Sequence, residues 1–353
     1  LTGGGTAGHV TPNIALLPAL QAAGYEIAYV GSYEGIEKKL IADFNIPYTG
    51  ISTGKFRRYL DPKNFSDPFR VMKGFVEARN YLKNYQPDVV FSKGGFVSVP
   101  VVRAAASLHI PCIIHESDMT PGLANKLCIP VAEKVCCNFP ETMKNIPADK
   151  AVLTGSPIRA ELAEGSKLAG LNMCGFTANK PVIMVIGGSL GAANVNKAVR
   201  DALPKLLEDF QVVHLCGKDK IDNLLLNTPG YKQFEYIKAE LKDIFAMADV
   251  VISRAGANAI CELLALKKPN ILIPLPAASS RGDQLLNAAS FEAQGYSIVL
   301  NEDDITTNLL VDKVHELYFN RQNYVDAMSK SHQMDAVKTI MELINEAADK
   351  KTN

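Results

Sequence analysis

The stretch PVIMVIGGSLGAANVNKAV, residues 181–199, decides the fold, because an apolar run enters a glycine loop and then a helical pattern. The consecutive apolar residues 182–186 predict a strand covered on both faces, as in a parallel sheet. The glycine loop 187–191 lacks the Lys-Ser/Thr ending of a P-loop, so it does not predict ATP hydrolysis. We interpret it as a diphosphate contact made by backbone amides and the Ser189 hydroxyl.

Similar units recur on both sides of this stretch. Short apolar runs alternate with amphipathic stretches, which predicts an α/β protein with open, doubly wound parallel sheets. We place strands at residues 26–31, 88–92, 111–115, 134–137, 151–154, 181–186, 211–215, 233–237, 249–253, 270–274 and 296–300. Because the sequence enters a glycine loop directly after Leu1, we expect most of a first strand to lie upstream.

The pattern divides the chain into two Rossmann-like domains, residues 1–158 and 159–333. Between them, the glycine-rich segment 155–179 is interpreted as a loop-rich linker. A last helix at about residues 334–350 could pack back on the first domain, which the sequence alone does not decide. Open α/β sheets bind ligands beyond the carboxyl ends of their strands, so we expect the two domains to face a shared cleft.

The first glycine loop, Gly3–Gly8, satisfies the pattern G-x-G-x-x-G of dinucleotide sites. Those sites also need an acidic residue at the end of the second strand, whereas the nearest acid, Glu34, lies beyond the expected place. A nicotinamide cofactor is therefore disfavoured, and no cofactor is assigned. Anion binding by loop amides at a helix start remains the preferred interpretation, with a tight turn as the alternative.

Two further segments carry polar side chains at predicted helix starts. Residues 253–262 form a strand end, a glycine turn and a helix start, so that Glu262 falls in the first or second helical turn. A carboxylate there can accept hydrogen bonds from both hydroxyls of a ribose. After the strand exit near residue 275, Gln284 and Asn287 offer amides suited to sugar hydroxyls.

Composition excludes several classes of protein. The 353 residues include 37 basic and 37 acidic side chains, which argues against a surface built for nucleic acid. The seven cysteines have no CxxC spacing and are expected to be reduced thiols of a cytosolic protein. No run reaches the length of a membrane span, so we expect a protein that is cytoplasmic or lies on a membrane without crossing it.

Taken in order, these motifs resemble the MurG family of glycosyltransferases over essentially the whole chain. The shared segments are 3–9, 94–98, 115–118, 187–192, 256–262 and Asp283-Gln284. The resemblance implies a GT-B fold and inverting transfer of N-acetylglucosamine from UDP-GlcNAc to lipid I, undecaprenyl-diphospho-MurNAc-pentapeptide, which gives lipid II for peptidoglycan. It also implies peripheral attachment to the cytoplasmic face of the bacterial cell membrane, beside other cell-wall synthesis proteins.

The resemblance also implies individual substrate contacts. It places Thr6, Ala7 and Gly8 at the donor sugar and the acceptor diphosphate. It assigns the nucleotide sugar to Arg159, Ser189, Ile237 (uracil), Glu262 (ribose) and Gln284 (GlcNAc hydroxyls). Gly94, Gly95, Ala257 and Asn258 lie in shared motifs and are expected to contact substrate as well. Asp118 departs from the family, which often has Asn there, and an ionised carboxylate only accepts where an amide also donates.

Inverting transfer needs a base on the acceptor hydroxyl and stabilisation of the departing UDP. His9 is the candidate base, because it follows the first loop and titrates near neutrality; a substrate contact or a structural role is the alternative. His115 and Glu116, at the end of another strand, are the second candidates for proton transfer. The sequence has no Asp-x-Asp pair, so no metal is assigned. Helix N-termini behind Ser189 and Gly256, with Arg159, could stabilise the diphosphate instead.

Residues 55–75, KFRRYLDPKNFSDPFRVMKGF, contain six basic and only two acidic residues. Apolar residues that we expect to be exposed lie between them. This pattern favours docking on an anionic membrane surface, and a solvated loop over an ordinary helix is the alternative. Other functional alternatives are a different UDP-sugar enzyme of the same fold, such as a glycolipid glycosyltransferase or a UDP-GlcNAc 2-epimerase, and a non-catalytic nucleotide-sugar-binding membrane adaptor.

Overall fold

The computed structural model describes residues 1–54, 63–188, 191–277, 282–331 and 335–352. The chain forms two compact units, one of residues 1–159 with the segment from 335 onward and one of residues 160–334. The sequence-based boundary after residue 158 lies one residue from this division. The predicted α/β class with parallel, doubly wound sheets is confirmed.

The first unit alternates strands and helices. Its strands are β1 (Tyr29–Ser32), β2 (Tyr48–Ile51), β3 (Val90–Ser92), β4 (Cys112–Glu116), β5 (Lys134–Cys137) and β6 (Ala151–Leu153). Its helices are α1 (Thr11–Ala22), α2 (Ile36–Ile41), α3 (Lys63–Tyr85), α4 (Ser98–Ser107), α5 (Leu123–Cys128), α6 (Pro140–Met143) and α14 (Ala336–Thr352). α14 belongs to this unit, although some 180 residues separate it from β6.

Thr2 completes the sheet of the first unit. β1 pairs with β2, and β3 to β6 pair in sequence order, all in parallel. Thr2 bridges Val30 of β1 and Ser92 of β3, so the order is β2, β1, Thr2, β3, β4, β5, β6. β1 and β2 lie on one side of Thr2, and β3 to β6 lie on the other. The first glycine loop therefore leaves the sheet at its switch point.

The core of the first unit closes against α14. Ile340 and Ile344 of this helix are buried with Leu16 of α1 and with Phe91 and Ile113 of the sheet. On the other face, apolar residues of α3 and α4 cover the strands. Since α14 and α1 cover one face together, the residues after 335 complete a core that begins near residue 16.

The second unit has one six-stranded sheet. Its strands are β7 (Val182–Ile186), β8 (Gln211–Leu215), β9 (Tyr231–Phe234), β10 (Val250–Ser253), β11 (Asn270–Leu272) and β12 (Ser297–Val299). Its helices are α7 (Lys167–Cys174), α8 (Ala193–Asp209), α9 (Leu241–Met247), α10 (Ala257–Ala265), α11 (Asp283–Ala293), α12 (Thr307–Phe319) and α13 (Arg321–Ser329). All pairs are parallel, in the order β9, β8, β7, β10, β11, β12. This is the Rossmann order, with its switch point between β7 and β10.

Two expectations about individual elements were wrong. The supposed linker contains α7, which begins at a Ser166 cap that accepts from the Ala169 amide and ends at Gly175 in the left-handed conformation. Its Gly170 permits close packing, because a Cβ there would lie 2.4 Å from the Asp243 carbonyl oxygen. The edge strand β2 was missed, since three of its four residues are only half-buried and it lacks a continuous apolar run.

All seven cysteines are buried and free, in agreement with the expected reduced thiols. Burial raises the pKa of the thiols of Cys112, Cys128, Cys136 and Cys137 to about 12. Neutral, buried thiols are poor nucleophiles, so these residues act as packing groups.

Candidate functional site

Two glycine turns meet at the switch point of the first unit. The Gly4 amide donates to the Gly94 carbonyl at 3.4 Å, which joins the loop after Thr2 to the loop after β3. Gly95 has φ +83°, and a Cβ there would lie 2.2 Å from the Gly4 carbonyl oxygen. Only glycine permits this approach, so the two predicted loops form one surface.

His9 lies on this surface, in the short 3-10 turn Ala7–His9. Its Nδ1 is 3.1 Å from Thr6 Oγ1, and a Cβ on Gly95 would lie 3.1 Å from the same nitrogen. Burial lowers the pKa of His9 to about 4; the positive charge of Lys93 acts in the same direction, and a Gly4 backbone hydrogen bond and Glu37 oppose it. The ring is therefore neutral at pH 7 and able to accept a proton.

Part of the first loop is exposed. Thr6 and Ala7 are exposed and Gly8 is half-buried, so these backbone groups are accessible to a ligand. The Gly5 amide, in contrast, donates to the Glu37 carboxylate at 3.2 Å. One amide of the predicted anion-binding loop is thus already occupied by a protein carboxylate.

Sequence reasoning missed Glu37, which lies three residues beyond Glu34. The available signal was the glycine and acid at Gly35-Ile36-Glu37, which begin four residues after the predicted strand 26–31. Glu37 is fully buried, and its carboxylate also accepts from the Ser32 amide at 2.9 Å.

His115 and Glu116 end β4 beside the same loops. His115 is buried, with Nδ1 3.0 Å from Lys93 Nζ and Nε2 2.8 Å from the Gly155 carbonyl oxygen. Burial, followed by the charge of Lys93, holds the pKa of His115 well below its usual range. Both ring nitrogens have protein partners, which indicates a structural histidine.

The Glu116 carboxylate holds the following loop. Oε1 accepts from the Asp118 amide at 2.9 Å, and Oε2 accepts from the Gly122 amide at 3.0 Å and from Asn125 Nδ2 at 2.8 Å. These three bonds favour a positioning role for Glu116 over the direct proton transfer expected from the sequence. They also fix the backbone at Asp118, whose side chain is half-buried.

In the second unit, the loop after β7 and the turn after β10 lie at the switch point. Gly187 and Gly188 follow β7 directly, whereas Ser189 lies outside the described residues. Gly191 has φ +69°, and a Cβ there would lie 2.0 Å from the Cys216 carbonyl oxygen, which brings this loop against the end of β8. Arg159, predicted for the same diphosphate, is half-buried after β6 and is grouped with the first unit.

The turn after β10 leads into α10, which begins with a polar face. Ala257 is the first residue of the helix, and Asn258 and Glu262 share one face because they are four residues apart. All three are half-buried, with part of their surface accessible. Behind this face, the buried Arg254 donates to the carbonyl oxygens of Ile273 and Pro274 at 3.0 and 3.2 Å and forms an ion pair with Glu302. Arg254 therefore fixes the turn to the end of β11.

The remaining predicted contacts differ in exposure. Ile237 follows β9 and is buried, with 4% of its surface exposed. Gln284 at the start of α11 is half-buried, and its Oε1 accepts from the Leu275 amide at 3.1 Å. Asn287 is buried and donates to the Ala255 carbonyl at 3.1 Å, so it joins α11 to the turn before α10. The sequence did not distinguish these two amides.

Across the described ranges, no group of three or more His, Cys, Asp or Glu side chains is placed to hold a metal ion. In the same part of the chain, no helix has the length and apolar character that crossing a membrane requires.

Two parallel-sheet units, each with a glycine loop at its switch point, have the architecture of GT-B glycosyltransferases. The N-terminal-domain model of glycosyltransferase family 28 matches residues 1–137, and the C-terminal-domain model matches residues 182–344. The chain belongs to glycosyltransferase family 28.

Relatives extend this likeness over nearly the whole chain. A UDP-N-acetylglucosamine--N-acetylmuramyl-(pentapeptide) pyrophosphoryl-undecaprenol N-acetylglucosamine transferase of Lachnospira eligens is 64% identical over 346 residues, 98% of each chain. A protein of that name from Clostridium botulinum is 58% identical and covers 98% of this chain and 97% of its own. The crystal structure of Acinetobacter baumannii MurG superposes with a TM-score of 0.77 at 29% identity, over 98% of both chains.

Proposed function

We propose that this chain transfers N-acetylglucosamine, with inversion, from UDP-GlcNAc to the MurNAc 4-hydroxyl of lipid I, which forms lipid II. The observation that carries the proposal is the 64% identity, over 98% of both chains, with a relative named for this transfer. The two glycine-loop surfaces support it, because each offers accessible backbone groups beside polar side chains at a switch point.

The second unit is the donor site in this proposal. The Glu262 carboxylate accepts hydrogen bonds from the ribose hydroxyls, Ile237 packs against uracil, and Gln284 contacts the GlcNAc hydroxyls. Asn258, on the same helix face as Glu262, and Ala257 at the helix start complete the contact. The partial positive charge of the α10 N-terminus, together with Ser189, stabilises the departing diphosphate.

The first unit is the acceptor site. Thr6, Ala7 and Gly8 contact the donor sugar and the acceptor diphosphate, Gly94 and Gly95 contact substrate as well, and Asp118 accepts from a hydroxyl. With the proton on Nδ1, His9 donates to Thr6 Oγ1, and Nε2 then accepts the proton of the MurNAc hydroxyl. The low pKa of His9 keeps this nitrogen unprotonated throughout the neutral range.

Donor binding is the first test. We expect calorimetric titration to give clear preference for UDP-GlcNAc over UDP-GalNAc and no binding of NADH. Glu262→Gln should weaken UDP-GlcNAc binding about 10- to 100-fold, because two charge-assisted hydrogen bonds lose their charge. Glu208→Gln, at an exposed position on α8, is the matched control. Equal binding of the donors, or NADH binding, would contradict the donor assignment.

Product analysis separates the proposal from its rivals. With labelled UDP-GlcNAc and lipid I, we expect label in lipid II and a loss of about 10²- to 10⁴-fold in kcat for His9→Ala. A free epimerised sugar would indicate a 2-epimerase. Donor binding without turnover would indicate a non-catalytic adaptor.

The proposal also places the protein on the cytoplasmic face of the cell membrane. Phe69, Met72 and Val76 of α3 are 79%, 65% and 49% exposed, and their spacing puts them on one helix face. Arg70 and Lys73 lie beside them and are also exposed. Residues 55–62, including Arg57 and Arg58, lie outside the described residues. An exposed apolar face with adjacent cations suits an anionic bilayer, which is where the lipid acceptor is held.

Vesicle binding tests this face. Phe69→Ser with Met72→Ser should reduce co-sedimentation with phosphatidylglycerol vesicles several-fold, while donor binding in solution stays unchanged. The matched control is Phe319→Ser, since Phe319 of α12 is 74% exposed but lies in the other unit. Equal losses in both variants would refute a specific docking face.

A further inference from the structure

One polar network joins four strand exits of the second unit. β7, β10, β11 and β12 are neighbours in its sheet, and because they are parallel, their carboxyl ends lie at the same edge. The Glu302 side chain, which follows β12, contacts Asn194 after β7 and Arg254 after β10. Arg254 in turn donates to the carbonyl oxygens of Ile273 and Pro274, which follow β11. Glu302 is therefore connected to all the other three exits, directly or through Arg254.

The Glu302 carboxylate is the centre of this network. Its side chain is 8% exposed and that of Arg254 is 10% exposed, so the ion pair between them is largely withdrawn from water. One carboxylate oxygen, Oε1, accepts from Asn194 Nδ2 at 2.6 Å, and the other pairs with Arg254 Nη2. Removing one partner of a buried ion pair leaves the other charge uncompensated. Each of the two charges thus fixes the position of the other.

The segments assigned to the donor lie next to each contact of the network. Asn194 is the second residue of α8, shortly after the glycine loop 187–191. Arg254 begins the turn into α10, the helix whose polar face is assigned to the ribose. Beyond β11, the Leu275 amide donates to Gln284 Oε1 at 3.1 Å, so the exit held by Arg254 also contacts the residue assigned to the GlcNAc hydroxyls. All three donor segments therefore depend on the position of one carboxylate.

We propose that Glu302 is a positioning residue that holds the three donor segments of the second unit in their mutual arrangement. This inference rests on the proposed function insofar as that function assigns UDP-GlcNAc to these segments. Glu302 does not contact the donor in this scheme; it acts through Asn194 and Arg254. Its loss weakens donor binding without removing any group that binds the donor.

Calorimetric titration of the full chain with UDP-GlcNAc tests this role. Glu302→Ala should raise the Kd about tenfold with unchanged stoichiometry, because every donor contact is retained but in a less defined arrangement. Glu302→Gln should raise it only about threefold, since the amide oxygen still accepts one of the two hydrogen bonds. The matched control is Asp303→Ala, which removes the exposed acid next in the sequence and should leave the Kd unchanged.

Stoichiometry separates positioning from a merely structural role. A residue that only stabilises the unit would, on removal, lower the fraction of chains able to bind. The titration would then show fewer sites per chain, while the Kd of the folded molecules stayed at the wild-type value.

Hydrogen–deuterium exchange without donor provides a second readout. In Glu302→Ala, the amides of residues 192–196 and 255–260 should exchange faster than in the wild type, because both segments lose a buried anchor. Exchange in α4 of the first unit should not change. If Glu302→Ala does not fold, Asn194→Ala leaves the buried ion pair intact and should accelerate exchange at residues 192–196 alone, with a two- to threefold rise in Kd.

A wild-type Kd in folded Glu302→Ala, or unchanged exchange in both segments, would overturn the inference. Failure of the proposed function looks different. In that case the wild-type chain would show no preference for UDP-GlcNAc, while exchange in the two segments would still be faster in Glu302→Ala.

Discussion

Two amide side chains at the start of α11 have different environments, although both looked suited to sugar hydroxyls. Asn287 is 1% exposed and joins α11 to the Ala255 carbonyl, whereas Gln284 is half-buried. We expect Asn287→Ala to lower the free energy of unfolding by about 1–3 kcal/mol, because the Ala255 carbonyl loses its buried donor. Gln284→Ala should instead raise the KM for UDP-GlcNAc with a smaller effect on stability. Urea unfolding and initial rates measure both; the reverse pattern would exchange their roles.

Gly95 tests whether the two loops of the first unit must touch. Gly95→Ala should cost about 1–3 kcal/mol and reduce transfer at least tenfold, because φ is +83° and a Cβ would lie 2.2 Å from the Gly4 carbonyl oxygen. Gly122→Ala is the control, since φ is −65° there and the Cβ position is open. A Gly95→Ala variant with full activity would show that the contact between the loops is dispensable.

For single residues, the sequence predicts a position correctly when one local pattern determines it. The position of Glu262 follows from the glycine turn before α10, because a helix start is visible locally. A local glycine and acid mark Glu37, but they do not reveal that its side chain is buried. Its place depends on glycines at 4, 31 and 35, which come together only in the folded sheet.

Among the elements, α14 packs against α1, which lies more than 300 residues earlier in the chain. Ile344 is 1% exposed against α1 and the first sheet, so Ile344→Ala should lower the stability of the first unit by about 2–5 kcal/mol. Glu342→Ala, at an exposed position on the same helix, should have little effect. Limited proteolysis after mild urea treatment would locate the damage; cleavage confined to residues 160–334 would contradict it.

Burial explains some of the elements that the sequence predicted and missed. The strands at 134–137 and 211–215 were predicted with their observed bounds, because both are largely buried apolar runs. The strand β2 was not predicted, because an edge strand is covered on only one face and therefore lacks a continuous apolar run. Helix α7 was not predicted, because its internal Gly170 indicates a helix breaker in the local sequence. In the structure this glycine permits close packing against α9.

For the whole molecule, buried histidines predict loss of stability in mild acid. Burial lowers the pKa of His9 to about 4 and of His214 to about 3, and that of His115 well below its usual range. The unfolded chain therefore binds more protons below about pH 6.5, and stability falls as pH decreases from there through the folded-state values. Each histidine contributes up to about 1.4 kcal/mol per pH unit.

Urea midpoints measured from pH 7 to pH 5 test this slope. His214→Gln should flatten the pH dependence of the second unit, where His214 lies between Tyr231 and Asn196. His109→Gln, at an exposed position, should leave it unchanged. Identical slopes in all three proteins would mean that other groups control the acid sensitivity.

The contribution of α14 to the first core also has a consequence for synthesis on the ribosome. Residues 160–334 form a complete unit, but the core that contains Leu16 also requires Ile340 and Ile344. Domains usually fold in the order in which they are made. Here the nascent chain can fold its second unit first, while the first unit waits for residues made after it. The glycine loop that bears His9 would then be among the last parts of the enzyme to fold. During that interval, the apolar core residues of the first unit would be exposed to chaperones.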